Sequence, residues 1–423
     1  MARDFQRRIG AFAALVLALP ASGQVTFNRD VFPILRAHCQ SCHRPGQAAP
    51  MSLLSYRAAR PWAKAIRNAV VATKMPPWFA DTRYGRFAND PSLSPAEIDT
   101  IVHWVSEGSV EGDPRDLPVP VQWPTDGWQI KPDAVVSLPP FRVPARGVVD
   151  WVYVTVPSGF TKDTWVTSIE ILPGDPAVVH HAGVFVRPHN SNSGDMLAGL
   201  SGMVAVYVPG FRASDFRAHS AAQLIPAHSD LVVQLHYTPN GNTVTDITRI
   251  GFTLAGEPPR RRFITYSPQP PAISDPDVFR IPAGDQDWAS PPVDGVFNVD
   301  AELVWFLPHM HLRGKDMQYS LTFPNGHRQI VLRVPRYDFQ WQIGYDAASP
   351  IQVSKGTRLH VDAHYDNSAN NRANPDATRD VYGGKQTWEE MMVPFFGVVV
   401  DAHVDPRAVM TLPGQAGAIG TGP

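Results

Sequence analysis

Leu231-Val-Val-Gln-Leu-His236 alternates apolar and polar positions toward its C-terminal end and finishes on a histidine. That period of two is the mark of a strand with one face in a core. The pattern recurs outward from it in Val152-Tyr-Val-Thr-Val156, Ala182-Gly-Val-Phe-Val186 and Ile250-Gly-Phe-Thr-Leu254. A second set follows: Leu303-Val-Trp-Phe306, Tyr319-Ser-Leu-Thr-Phe323, Leu359-His-Val-Asp-Ala-His364 and Phe395-Phe-Gly-Val-Val-Val400. Turn signals such as Pro239-Asn-Gly241 and Pro324-Asn-Gly326 separate the runs. The spacing predicts two antiparallel, jelly-roll-like β-sandwiches over 145–285 and 286–423. A histidine cluster followed by a His-Tyr strand end (His236-Tyr237, His364-Tyr365) occurs in each half and suggests an internal duplication.

Upstream, Cys39-Gln-Ser-Cys42-His43 holds both cysteines of the 423-residue chain. C-x-x-C-H is the attachment signature of a c-type haem, in which two thiols bond the porphyrin and the histidine ligates iron. A redox CxxC normally sits on a βαβ pattern and needs no following histidine. A zinc site would need two further ligands, which His38 and His43 offer only with awkward geometry. With both cysteines committed to haem, no disulfide braces the fold.

Arg3, Arg7 and Arg8 precede an apolar run and then Ala21-Ser-Gly23, the pattern of a secretory signal peptide over 1–23. A periplasmic or secreted protein is expected, without a membrane span. The net charge of −2, with both signs interspersed, gives no indication of nucleic-acid binding.

Residues 24–112 read as helical. Trp62, Ile66 and Val70 form one stripe, and Ser94-Pro-Ala-Glu97 is a capping box with proline at the first helical position. Short helices around a CxxCH resemble a small all-α cytochrome c domain. Its sixth iron ligand is expected to be Met75 of the Pro-flanked Lys74-Met-Pro-Pro-Trp78, with Met51 and His103 as competitors. Residues 113–144, rich in proline, read as an extended linker.

Histidines recur in the β region as His180-His181 and His309-Met310-His311. Residues i and i+2 on a strand share a face, so His309 and His311 can chelate one metal. Adjacent His180 and His181 can do so only at a bulge or strand end, or through different ring nitrogens. For either cluster alone, buried histidines bonded to backbone carbonyls are the simpler reading.

His180-His181, then His236, then His309-x-His311, then Glu390-Met391 resemble the ordered ligand set of the copper type II, ascorbate-dependent monooxygenases, which include the peptidylglycine- and dopamine-hydroxylating enzymes. The resemblance covers about 126–400. It implies one copper on His180, His181 and His236 and a second, catalytic copper on His309, His311 and Met391. Met391 is preferred to Met392 because it follows Glu389-Glu390 as in the family pattern. Imidazole suits copper in both oxidation states and a thioether favours Cu(I).

Several features depart from the family. Its disulfides are absent, and His364 stands near a position where a cysteine is expected. Where the peptide hydroxylase reads a substrate carboxylate, this chain carries Leu307, Val393 and Phe395, which disfavours an anionic peptide. The resemblance implies a monooxygenase acting with O2 on a small organic substrate, two coppers and one haem c carrying electrons from a periplasmic donor. A catalytically silent haem and copper electron-transfer protein, and a cytochrome bearing a β-sandwich binding module, are the alternatives.

Overall fold

The computed structural model describes residues 23–189, 202–210 and 213–412. Residues 1–22, on which the signal peptide falls, and the 413–423 end of the second expected sandwich lie outside them. Every strand named from alternation is present, for example Ser229–Tyr237, Ala301–His309 and Val393–Asp401.

Four principal antiparallel sheets carry the fold. The first joins Ala134–Ser137, Arg249–Leu254 and Thr164–Leu172; the second joins Val152–Pro157, Ser229–Tyr237, Val179–Pro188 and Met203–Tyr207. The third joins Arg261–Tyr266, Val393–Asp401, Ala301–His309 and Tyr345–Val353; the fourth centres on Gly314–Thr322 and Arg358–Tyr365.

Alternation explains the packing. On Ser229–Tyr237, Leu231, Val233 and Leu235 join Val166, Ile169 and Phe252 in a core between the first two sheets. Phe306, Phe396 and Val398 meet Met317, Tyr319 and Tyr365 in a second core between the last two. The opposite faces of the second and third sheets are also apolar. Phe185, Met203 and Val232 pack there on Leu307, Val393 and Phe395.

That third layer corrects the expected fold class. The protein is mostly β, about 36% strand against 14% helix, and its sheets face one another in a propeller-like ring rather than as two free-standing jelly rolls. Phe263, Val304 and Val399 of the third sheet even enter the first core.

The expected all-α cytochrome c domain is corrected too: among the described residues no such compact unit stands apart. The helices Phe32–His38, Tyr56–Ala59, Ala63–Val71 and Pro95–Ser106 are short and share a small cluster around Phe27, Phe32 and Trp104. Between the last two, the chain leaves the helices and docks on the β-sheets. Asp81 N donates to Arg333 O at 2.8 Å, Ala88 N donates to Asp346 O at 2.8 Å, and Trp78 packs on Tyr345 with ring centres 4.8 Å apart. Prolines 76 and 77 cannot continue a helix, and the aromatic residues after them find their apolar partners on the sheets.

Two strands, Ala134–Ser137 and Phe141–Val143, begin inside the proline-rich 113–144 segment. Among the described residues no helix is long and apolar enough to cross a membrane.

The capping box forms as read: Ser94 Oγ accepts from Glu97 N at 3.3 Å, and Glu97 accepts from Ser94 N at 2.7 Å. Ser94→Ala is expected to cost about 1 kcal/mol. Amide exchange across Pro95–Ser106 should quicken roughly fivefold by that amount; unchanged exchange would show the cap to be dispensable.

Candidate metal centres

His236 lies on the Val232 face of its strand, and His309 on the Leu307 face of its own. Both therefore belong to the facing sides of the second and third sheets, beside the apolar layer that joins them.

His181 sits directly across from His236, and the register slips between Val179 and His181. The slip is the bulge that adjacent histidines need in order to converge. His181 Nδ1 lies 2.9 Å from His180 Nδ1, which lies 3.3 Å from His236 Nδ1. Nitrogens bound to one cation at about 2 Å stand about 3 Å apart, so the three rings fit a metal ion. His180 Nε2 faces Gln340 O at 3.1 Å, which puts the proton on Nε2 and leaves Nδ1 as a lone-pair donor. Trp151 stacks on His236 at 5.0 Å. Burial holds His181 well below the ordinary imidazole range and His236 at about 4, so both are neutral ligands at pH 7.

His309 and His311 have ring centres 5.4 Å apart. His309 Nδ1 meets Gln342 Oε1 at 2.7 Å and His311 Nδ1 meets Glu389 O at 3.1 Å. Both acceptors fix Nδ1–H and leave each Nε2 to bind a metal. Burial lowers His309 to about 4 and His311 to about 3.

The two methionines separate cleanly. Met392 is fully buried in the core, where its Sδ accepts from Ser290 Oγ at 3.0 Å. Met391 is half-buried and packs against the layer between the sheets. His309 pairs with Val393, where the ladder ends; beyond it the amides of Met391 and His311 both reach Glu390 Oε2, at 3.4 and 2.9 Å.

Sequence reasoning missed the clamp that holds this end together. Glu390 is fully buried; its Oε2 accepts from His311 N at 2.9 Å and its Oε1 from Arg313 N at 2.6 Å. Burial pushes the carboxyl up to about 8 against those two donors. Buried Arg313 reaches on to Asn367 Oδ1 at 2.9 Å and Trp388 O at 2.9 Å. Tyr365 donates to Met391 O at 3.0 Å. An acid directly before Met391 was the one available signal. Leu307, Val393 and Phe395 are all buried in the apolar layer beside His309, with Phe395 6.2 Å from its ring.

At the CxxCH stretch, both thiols are free and burial raises them, Cys39 to about 12. His43 Nδ1 lies 3.3 Å from Met51 O, leaving Nε2 for iron, so the triad fits a covalent haem. Met75 follows the helix Ala63–Val71 and its N donates to Ala69 O at 3.4 Å. His103 points outward from its helix, and Met51 serves His43 through its carbonyl. Cys42 lies beside the turn that follows the strand Met203–Tyr207: a Cβ on Gly210 would meet its Sγ. The neighbouring strand residue Tyr207 pairs with Ala182, next to His181. The attachment loop thus lies next to the turn that leaves the sheet carrying the first histidine cluster.

Asp287, Asp316 and His364 form another group within ligand reach. Lys315 Nζ, 2.8 Å from Asp287, already supplies a cation there, and His364 pairs with Asp316 at 2.9 Å.

No protein-family model matches this chain, and no curated protein matches it. Among solved structures it is similar to the T13 particle of infectious bursal disease virus, at 9% identity and a TM-score of 0.20, over 67% of this chain and 75% of that one. It is also similar to an allantoicase, at 10% identity and a TM-score of 0.14, over 59% and 81% of the two chains. Likenesses this remote carry no argument about fold or function.

Proposed function

We propose that this chain is a copper-dependent monooxygenase with a covalently attached haem c, acting outside the cytosol on a C–H bond of an apolar or weakly polar small molecule. The observation that carries the reading is the pairing of two donor sets on facing sheets: three converging imidazoles at 180, 181 and 236, and His309 and His311 beside Met391, whose amide shares Glu390 Oε2 with that of His311. Copper on those sets and iron at His43 would supply one-electron relay and the activation of O2 for insertion of one oxygen atom.

The chain's own residues do the rest. Gln340, Gln342 and the Glu389 carbonyl fix the imidazole tautomers, so that lone pairs point toward the metal positions. Glu390 holds the 309–311 segment against Met391. Leu307, Val393 and Phe395 exclude water beside His309 and offer no partner for an anionic group. The position of Cys42 beside the Gly210 turn that leaves the second sheet favours haem as the reductant of the first cluster.

The test is iron and copper per chain after expression with haem-attachment machinery and copper loading, followed by O2 uptake with a reductant and apolar substrates. One iron and two coppers are expected, falling to one copper in His309→Ala or Met391→Ala. Metal binding without substrate-dependent O2 uptake would instead favour an electron-transfer protein. Iron without copper would leave a cytochrome with a β binding module.

A further inference from the structure

One short segment touches both histidine clusters. Residues 338–342 connect the strands Arg328–Val334 and Tyr345–Val353, yet they reach across to the second sheet. Gln340 O serves His180 and Gln342 Oε1 serves His309. Phe339, just before Gln340 and only 5% exposed, has its ring centre 6.1 Å from each of His180, His181, His236 and His311. The His181 and His311 rings are thus no more than twice that distance apart, with a benzene ring in contact range of both.

We infer that Phe339 is a positioning residue that partitions the two metal positions: it keeps them close while denying water or a small anion the place from which to bridge them. The physics is steric and dielectric. An apolar ring filling the gap has no lone pair to offer either metal, and displacing it is required before a bridging ligand can enter. Gln340 and Gln342 follow Phe339 in a tight turn, with Gln340 N on Asp338 Oδ1 at 2.9 Å and Gln342 Nε2 on Phe339 O at 3.4 Å. The orientation of one imidazole in each cluster is therefore coupled to the same turn.

The inference rests on the reading that both clusters bind copper, and the experiment separates the two. Full-length protein loaded with Cu(II) is titrated with azide, and EPR-visible copper is counted against total copper. In the wild type all bound copper should stay visible, because the centres cannot be bridged. In Phe339→Ala total copper should be unchanged while the visible signal falls by half or more on azide, as bridged pairs couple. Phe339→Leu, which keeps the partition apolar, should behave like the wild type. Gln342→Leu should weaken the second copper about 10–100-fold, with recovery in Gln342→Glu. A wild type that loses its signal on azide overturns the partition, whether or not the alanine variant folds, and so does an alanine variant that keeps its signal. A wild type holding fewer than two coppers overturns the underlying reading, and the partition with it.

Discussion

Glu390→Leu is expected to cost about 2–6 kcal/mol, because two buried amides each lose their acceptor at about 1–3 kcal/mol. Copper content should drop by one ion per chain. Leucine nearly matches the volume, so the loss comes from hydrogen bonding rather than from a cavity. The amides of His311 and Arg313 would both lose their acceptor in a site without water to replace it. The buried Arg313 guanidinium would keep its bonds to Asn367 Oδ1 and Trp388 O. Because the His311 amide belongs to the segment that carries both histidines and shares Glu390 Oε2 with the Met391 amide, its release uncouples the histidines from the thioether. Glu390→Gln retains one acceptor oxygen and should fall between the leucine variant and the wild type. Thermal unfolding with copper analysis decides the matter; a leucine variant with two coppers and an unshifted transition would show that the clamp is not needed.

The contrast between what alternation reveals and what it hides is sharp in this chain. Ser229–Tyr237 and Ala301–His309 were readable because a period of two, closed by a histidine, survives in sequence whatever lies across from it. The geometric condition on His180 and His181 was readable as well, since adjacent side chains converge only at a bulge, and one is there. Which sheets face one another is not written in any local period. The apolar layer of Phe185 and Val232 against Leu307 and Phe395 made the difference between separate sandwiches and one continuous body. Likewise Met75 in the Pro-flanked Lys74–Trp78 stretch is expected only as an iron ligand, and nothing local shows that the chain after it docks on the sheets. The aromatic residues of that chain complete the core around Tyr345. The partners of the histidines were hidden by distance along the chain: His180 and Gln340 are 160 residues apart.

Metal-free protein is expected to lose stability steeply as pH falls from about 6.5 toward 4. In the folded chain burial depresses His236 to about 4, His309 to about 4 and His311 to about 3, from an ordinary value of 6.5. Between those limits the unfolded chain takes up protons that the folded chain refuses, so protonation draws the equilibrium toward unfolding. The stability these groups contribute is complete above pH 6.5 and is lost as pH falls through their folded values. Each depressed unit is worth about 1.4 kcal/mol, so three such groups amount to several kcal/mol, comparable with the whole stability of an ordinary domain. Glu390 has the opposite sign. Its carboxyl is raised from 4.5 to about 8, so its contribution is complete below 4.5 and declines as pH rises through 8. The two trends cross near neutrality, where the metal-free protein should be most stable. Copper binds the neutral imidazoles and competes with their protons, so loading should move the acid transition downward by a pH unit or more, about tenfold in proton concentration. Acid titrations followed by tryptophan fluorescence, with and without copper, read both effects. If the metal-free protein held its signal unchanged from pH 7 to 4, the histidines would have to be already solvated or charged, contrary to their burial between the sheets.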